Sequence, residues 1–202
     1  MALHIGAILS PFQPLDRAFQ RGRIERLKQG YPATSRRRLR IRKFIQYCSR
    51  KYRLSAPILD IGAGYRSNEP EICCDNFVDF YTLDVNPSLK PDFLSDAADM
   101  KQIPTESVGT CVCTELLEHA KSPQLVVSEI LRVLQPTGFA IFTVPFFVPV
   151  HEKMYQQDYW RFTPRGIALL IRPLEIAELQ TFGHNLAPEN IFVVAQKSKE
   201  VG

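Results

Sequence analysis

No apolar run in the 202 residues approaches the roughly 18–20 that a membrane-crossing helix needs. The stretch at 5–9 is too short for a signal-peptide core, so a cytoplasmic protein is expected. Cysteine is sparse and odd in number, five in all, which speaks against a disulfide framework. Cys73 and Cys74 are adjacent, and Cys111 and Cys113 would share one face of a strand. No pair has the C-x-x-C spacing of a zinc site, so buried reduced thiols and no metal are expected. No internal repeat recurs, and only a run of arginines has low complexity. Acidic residues are nearly missing from the first quarter: residues 1–53 hold Asp16 and Glu25 against fourteen Lys and Arg, while the remainder carries eleven basic and nineteen acidic groups. The net charge of +4 therefore conceals a basic N-terminal segment joined to an acidic body.

With 45% hydrophobic and 23% charged residues, the chain has the material for one well-packed domain with an appendage. Residues 1–34 hold Pro11, Pro14, Gly22, Gly30 and Pro32 and read as a loose arm with a short helix over 16–28. An Arg-rich, acid-poor start also matches an organelle transit peptide. Over 35–54, Ile41, Phe44, Ile45, Cys48 and Tyr52 fall at helical spacing among arginines and lysines, which predicts one amphipathic basic helix. Its charges either stay solvated or, across Arg36–Lys51, meet RNA or an anionic membrane surface. The composition divides the chain into 1–54, basic arm and helix, and 55–202, the main domain.

The stretch Ile58-Leu59-Asp60-Ile61-Gly62-Ala63-Gly64 reads as a strand, a carboxylate and a tight turn, before Ser67 and Asn68 that can start a helix. It is either an ordinary strand-helix loop or a nucleotide-binding turn, because a lone Gly-x-Gly is weak. Further strands are predicted at 80–85, 92–94, 108–113 and 139–144. A helix runs from Ser122 as N-cap and Pro123 through Val126, Val127, Ile130, Leu131 and Leu134 to a Pro136-Thr137-Gly138 stop. A loop over 145–158 carries Phe146, Phe147, His151 and Tyr155. Thr163 and Pro164 then open a helix to Ile171, and strands at 174–181 and 190–195 flank a loop at 183–188. This alternation implies a mostly parallel sheet with helices on both faces. Such sheets bind ligands at the carboxyl ends of their strands, where Gly62, Asp84, Asp96 and Thr114 fall.

These residues resemble class I S-adenosylmethionine-dependent methyltransferases of the small single-domain kind, over about 56–198. Leu59-Asp60-Ile61-Gly62-Ala63-Gly64 is similar to the family's glycine motif, Leu83-Asp84-Val85 to its second motif and Asp96-Ala97 to its third. Cys113-Thr114-Glu115-Leu116-Leu117-Glu118-His119 resembles the exit of the fourth strand, and Glu129 to Pro136 with Gly138 the next helix. His151 with Asp158-Tyr159-Trp160-Arg161-Phe162-Thr163-Pro164 is similar to members linked to glycan and lipopolysaccharide assembly. Arg66 stands where a third glycine is common, and Thr137 replaces the first of a frequent Gly-Gly.

The resemblance implies a Rossmann-like seven-stranded fold and S-adenosyl-L-methionine as cofactor. Asp84, beside Val85, would accept both ribose hydroxyls. Asp96 would take the adenine amino group and the Ala97 amide would donate to a ring nitrogen. Gly62 and Gly64 would lie against the methionine end, with Asp60 ordering the loop or reaching the ammonium through water. Thr114 and Glu115 come close to the methyl. A general base is needed only for a poorly acidic hydroxyl or a protonated amine. His151 is the first catalytic candidate and His119 the second, and Tyr159, Trp160 and Arg161 would line the acceptor pocket. Each has a plainer alternative: Asp84 capping a turn, Asp96 an N-cap, His119 starting a helix, the aromatics packing.

The functions that fit are methyl transfer to a small molecule or glycan, an RNA methyltransferase using the basic helix, and a non-catalytic binding or assembly protein that keeps the fold. A nicotinamide oxidoreductase fits less well, because the third glycine of Gly-x-Gly-x-x-Gly would fall at Ser67.

Overall fold

The computed structural model describes residues 36–64, 79–152 and 155–199. The arm at 1–34, Arg66 with the segment after the glycine turn, and Cys73–Cys74 lie outside the described residues. Among the described residues one helix, α1 (Arg36–Lys51), precedes the sheet. It contains neither Gly nor Pro, and Arg50 and Lys51 in its last turn suit the negative end of the helix dipole. Ile41, Phe44, Ile45 and Cys48 form its buried side, as the spacing predicts. Each buried Ile or Phe stabilises the fold by about 1.5–3 kcal/mol.

Seven strands follow: β1 (Ile58–Ile61), β2 (Phe80–Asp84), β3 (Phe93–Leu94), β4 (Val108–Thr114), β5 (Leu134–Pro145), β6 (Glu175–His184) and β7 (Ala187–Gln196). They make one sheet in the order β3-β2-β1-β4-β5-β7-β6. The pairs up to β4–β5 are parallel, and β7 runs antiparallel between β5 and β6. Strand β1 is buried throughout, as a central parallel strand must be. Its Ile58 belongs to the layer under α1 with Phe80, Val112, Ile141, Phe192 and Val194. Leu59 and Ile61 face the opposite layer, where α2 (Pro123–Val133) sets Val126, Val127, Ile130 and Val133, and α3 (Pro164–Leu170) sets Ile167. The basic helix that composition sets apart with the arm thus shares a core with the sheet.

Some predicted boundaries move. Leu134, expected as the last apolar position of α2, opens β5 instead and pairs with Val108. Its carbonyl accepts from Lys197 Nζ at 2.9 Å rather than continuing the helix. Ser122 occupies the N-cap of α2, but its side chain makes no capping bond. Thr163 does cap α3, its Oγ1 accepting from the Gly166 amide at 3.0 Å. The loop expected at 183–188 shrinks to a two-residue turn, because β6 and β7 stay paired to His184–Ala187.

Candidate active site

The order of the strands reverses direction between β1 and β4, the place where an open α/β sheet holds its ligand. Immediately after β1, Gly62 and Gly64 take φ of +69° and +59°, which side-chain-bearing residues rarely adopt. The Gly62 amide donates to the Leu83 carbonyl at 2.8 Å, so β2 pulls the turn across the sheet end. A Cβ on Gly62 would lie 2.7 Å from Leu116 Cδ1, whereas one on Gly64 would meet, among the described residues, nothing nearer than the Gly62 carbonyl oxygen at 3.9 Å. The described residues thus leave the second glycine uncrowded.

Asp84, at the end of β2, fixes that turn. Its Oδ2 accepts from the Gly64 amide and its Oδ1 from the Asn86 amide, each at 2.9 Å. Each carboxylate oxygen has a further lone pair, so a bound diol can be accepted without displacing either bond. Val85 beside it is exposed and Asp60 is fully buried at the end of β1. Beyond β3, Asp96 Oδ1 accepts from the Ala98 amide at 2.8 Å, and Ala97 is buried. The expected N-cap-like alternative for Asp96 is thus partly realised.

At the exit of β4 the chain makes an abrupt turn, with Thr114 buried and Glu115 at φ +51°. Glu115 Oε1 accepts from Thr143 Oγ1 at 3.1 Å and Asn190 Nδ2 at 3.2 Å. Its Oε2 lies 3.4 Å from Arg37, which α1 carries across to the site. Burial raises the Glu115 carboxyl above its ordinary range, and the Arg37 charge opposes this. Glu118 is completely buried and neither carboxylate oxygen has a hydrogen-bond donor. Burial, helped by the charge of Glu115, pushes it well above the usual carboxylate range.

The two candidate catalytic histidines come together here. Their rings meet edge to face at 5.2 Å between centroids, and His119 Nε2 is 3.8 Å from Glu118 Oε1. His119 Nδ1 lies 2.8 Å from the Gln157 carbonyl, and burial lowers the pKa of its ring. His151, on the loop after β5, is held by its amide donating to Asp158 Oδ2 at 2.9 Å. Although the sequence reading expected no metal, Glu118, His119 and His151 each place a ligand atom within 4.8 Å of the others. Arg37, expected as one charge of the basic Arg36–Lys51 surface, instead faces Glu115, and the Glu-x-x-Glu-His spacing is the sequence signal that marks Glu118.

The acceptor candidates separate. Tyr159 and Trp160 are 44% and 42% exposed, enough to offer their rings to a ligand, and their amides donate to the Glu118 carbonyl at 2.8 and 3.2 Å. Trp160 Nε1 donates to the Ala120 carbonyl at 2.9 Å. Arg161 is committed elsewhere: its guanidinium forks onto the buried Asp158 carboxylate and reaches the carbonyls of Trp160 and Pro149. This pairing holds Asp158 far below the usual carboxylate range. On α1, Arg40 pairs with Glu189, and Lys51 with Glu178 at 2.8 Å. A shallow groove of about 430 Å³ between Lys43, Gln46, Tyr47, Arg50 and Lys51 lies toward the end of α1 away from Arg37.

The strand order, the glycine turn with its two positive φ angles and the acid that ends β2 define a class I methyltransferase domain. The chain belongs to the methyltransferase-domain family, which matches residues 33–186. S-adenosyl-L-methionine is the cofactor of this class. Among solved structures, a SAM-dependent methyltransferase from Archaeoglobus fulgidus is similar over 90% of this chain and 100% of its own, at 13% identity and a TM-score of 0.57. Phosphoethanolamine N-methyltransferase 2 of Haemonchus contortus, solved with S-adenosyl-L-methionine, matches over 79% and 52% at 13% identity and 0.62. The 1,6-didemethyltoxoflavin-N1-methyltransferase of Burkholderia thailandensis, with S-adenosylhomocysteine, matches over 84% and 93% at 13% and 0.55. No curated protein matches the chain in sequence. No helix among the described residues is long and apolar enough to cross a membrane.

Proposed function

We propose that the domain methylates a small-molecule or glycan acceptor seated at the exit of β4, in the cytoplasm, where the free buried Cys48, Cys111 and Cys113 stay reduced. The observation that carries this is the pairing of a polar cluster, the buried Glu118 with the partly exposed His119 and His151, with the half-exposed rings of Tyr159 and Trp160. Aromatic faces beside convergent polar groups are what a polyhydroxylated ligand requires.

Asp84 holds the ribose hydroxyls and keeps Gly64 in place; Asp96 and the Ala97 amide receive the adenine. Gly62, Gly64 and the buried Asp60 shape the methionine end, and Thr114 and Glu115 stand between it and the acceptor. The cofactor supplies a methyl group on a positively charged sulfur that is already a good leaving group. The protein's main work is therefore alignment, worth up to about 7–11 kcal/mol of the barrier. His119 and His151 are the candidates for handling the acceptor's proton; burial lowers the pKa of the His119 ring, which keeps that imidazole neutral near pH 7.

An RNA acceptor is the less favoured outcome, because Arg37, Arg40 and Lys51 of α1 are drawn into ion pairs within the domain. The test is transfer of a labelled methyl from S-adenosyl-L-methionine to panels of saccharides, nucleotide sugars and RNA. Label on saccharides, reduced at least tenfold in Trp160→Ala, supports the reading. Label on RNA alone, or on nothing while the cofactor binds, overturns it.

A further inference from the structure

We propose that Glu118, His119 and His151 bind one divalent first-row metal ion at the acceptor side of the site. Three observations converge on it. The donor atoms lie within 4.8 Å of one another, and rotations of about an ångström would bring them to the roughly 3.0–3.4 Å separations of ligands about 2.1 Å from one metal. Glu118 is fully buried yet neither oxygen receives a hydrogen bond, an arrangement folds rarely leave without a cation or donor.

The third observation is how the imidazoles are held. His119 Nδ1 faces the Gln157 carbonyl at 2.8 Å. His151 Nδ1 faces the Pro149 carbonyl at 3.2 Å and Asp158 Oδ2 at 3.3 Å. Those oxygens only accept, so each Nδ1 carries the hydrogen and each Nε2 presents its lone pair. Carbonyl and carboxylate partners on the far nitrogen are the outer-shell arrangement that orients histidine metal ligands. The Arg161 fork fixes Asp158, and through it His151.

Two imidazoles and one carboxylate, with no thiolate, suit Zn²⁺, Mn²⁺, Fe²⁺ or Co²⁺ and leave coordination positions for outside ligands. On the methyl-transfer reading above, those positions take oxygens of the acceptor, which narrows it to molecules with a hydroxyl or adjacent hydroxyls. His119 and His151 then act as ligands, and the acceptor's proton passes to solvent as the cation offsets the charge left on oxygen.

The test needs no methyl transfer. Tag-free full-length protein, freed of metal with a chelator, is titrated with cobalt chloride and followed by visible absorption. Wild type is expected to bind one equivalent with ligand-field bands, and Glu118→Gln and His151→Ala to bind at least tenfold more weakly. His184→Ala, at the end of β6 and outside the three-residue cluster, is expected to match wild type. His151→Ala, on an exposed loop, keeps the test valid should Glu118→Gln fail to fold. Substoichiometric binding by wild type, or a folded His151→Ala that binds equally well, overturns the proposal. Cofactor binding by the metal-free protein, measured separately, shows whether the methyltransferase reading stands when this one falls.

Discussion

Gly62 and Gly64 share a backbone conformation but differ in what surrounds them, and alanine at each separates folding from binding. At φ of +69° and +59° either alanine pays about 1–2 kcal/mol for the left-handed conformation. At Gly62 the new methyl also falls 2.7 Å from Leu116 Cδ1 and 3.2 Å from Cγ, adding about 1–3 kcal/mol of overpacking, toward the low end because the leucine can rotate. At Gly64 the nearest atom among the described residues is 3.9 Å away, so they add nothing. With about 2–4 °C in Tm per kcal/mol at this size, Gly64→Ala should melt about 2–8 °C below wild type and Gly62→Ala about 5–15 °C. Binding should rank the other way, because the Gly64 methyl occupies space the cofactor needs: a loss of at least tenfold, or about 1.4 kcal/mol, in S-adenosyl-L-methionine affinity. Differential scanning calorimetry and isothermal titration read the two effects. A Gly64→Ala protein that binds within twofold of wild type would refute the reading of this turn as a cofactor cradle.

Asp84→Ala removes a charged acceptor and frees the Gly64 amide, so calorimetry should show cofactor binding weakened by about 2–4 kcal/mol, from 30-fold to nearly a thousandfold. Arg161→Met strips the buried Asp158 of its partner and should lower stability by about 2–3 kcal/mol in urea unfolding, with disorder of the His151 loop visible as faster proteolysis. At Glu178, burial favours the neutral acid, but hydrogen bonds from Lys51, Tyr52, Gln180 and Tyr47 outweigh it and hold the pKa near about 2. Because the folded value is depressed, this stabilisation is complete above the unfolded value of about 4.3 and is lost as pH falls toward 2. Glu178→Gln should therefore cost up to about 2 kcal/mol at pH 7 and little at pH 2, measured as the difference between the two unfolding curves.

Much of this site was legible because its logic is local. A strand carrying Asp60 just before Gly62 and Gly64, and a second ending in Asp84, each declare themselves within a few residues, and their alignment follows from parallel pairing alone. What escaped was tertiary. Arg37 reads as one more charge on a basic helix until α1 crosses the sheet and brings it to Glu115. Glu118 reads as an ordinary acid beside His119 until the loop bearing His151 folds over it. Leu134 fits the helical period, yet Val108 and Lys197, both distant in sequence, draw it into a strand. Arg161 looked like an acceptor contact because nothing in the sequence shows that Asp158, three residues earlier, would be buried against it.

The most direct measurement is a calorimetric titration of the purified chain with S-adenosyl-L-methionine. The geometry around Gly64 and Asp84 predicts saturable binding at one site per chain. A protein that unfolds cooperatively, and so is folded, yet gives no binding heat at several temperatures would contradict the assignment of this site to the cofactor.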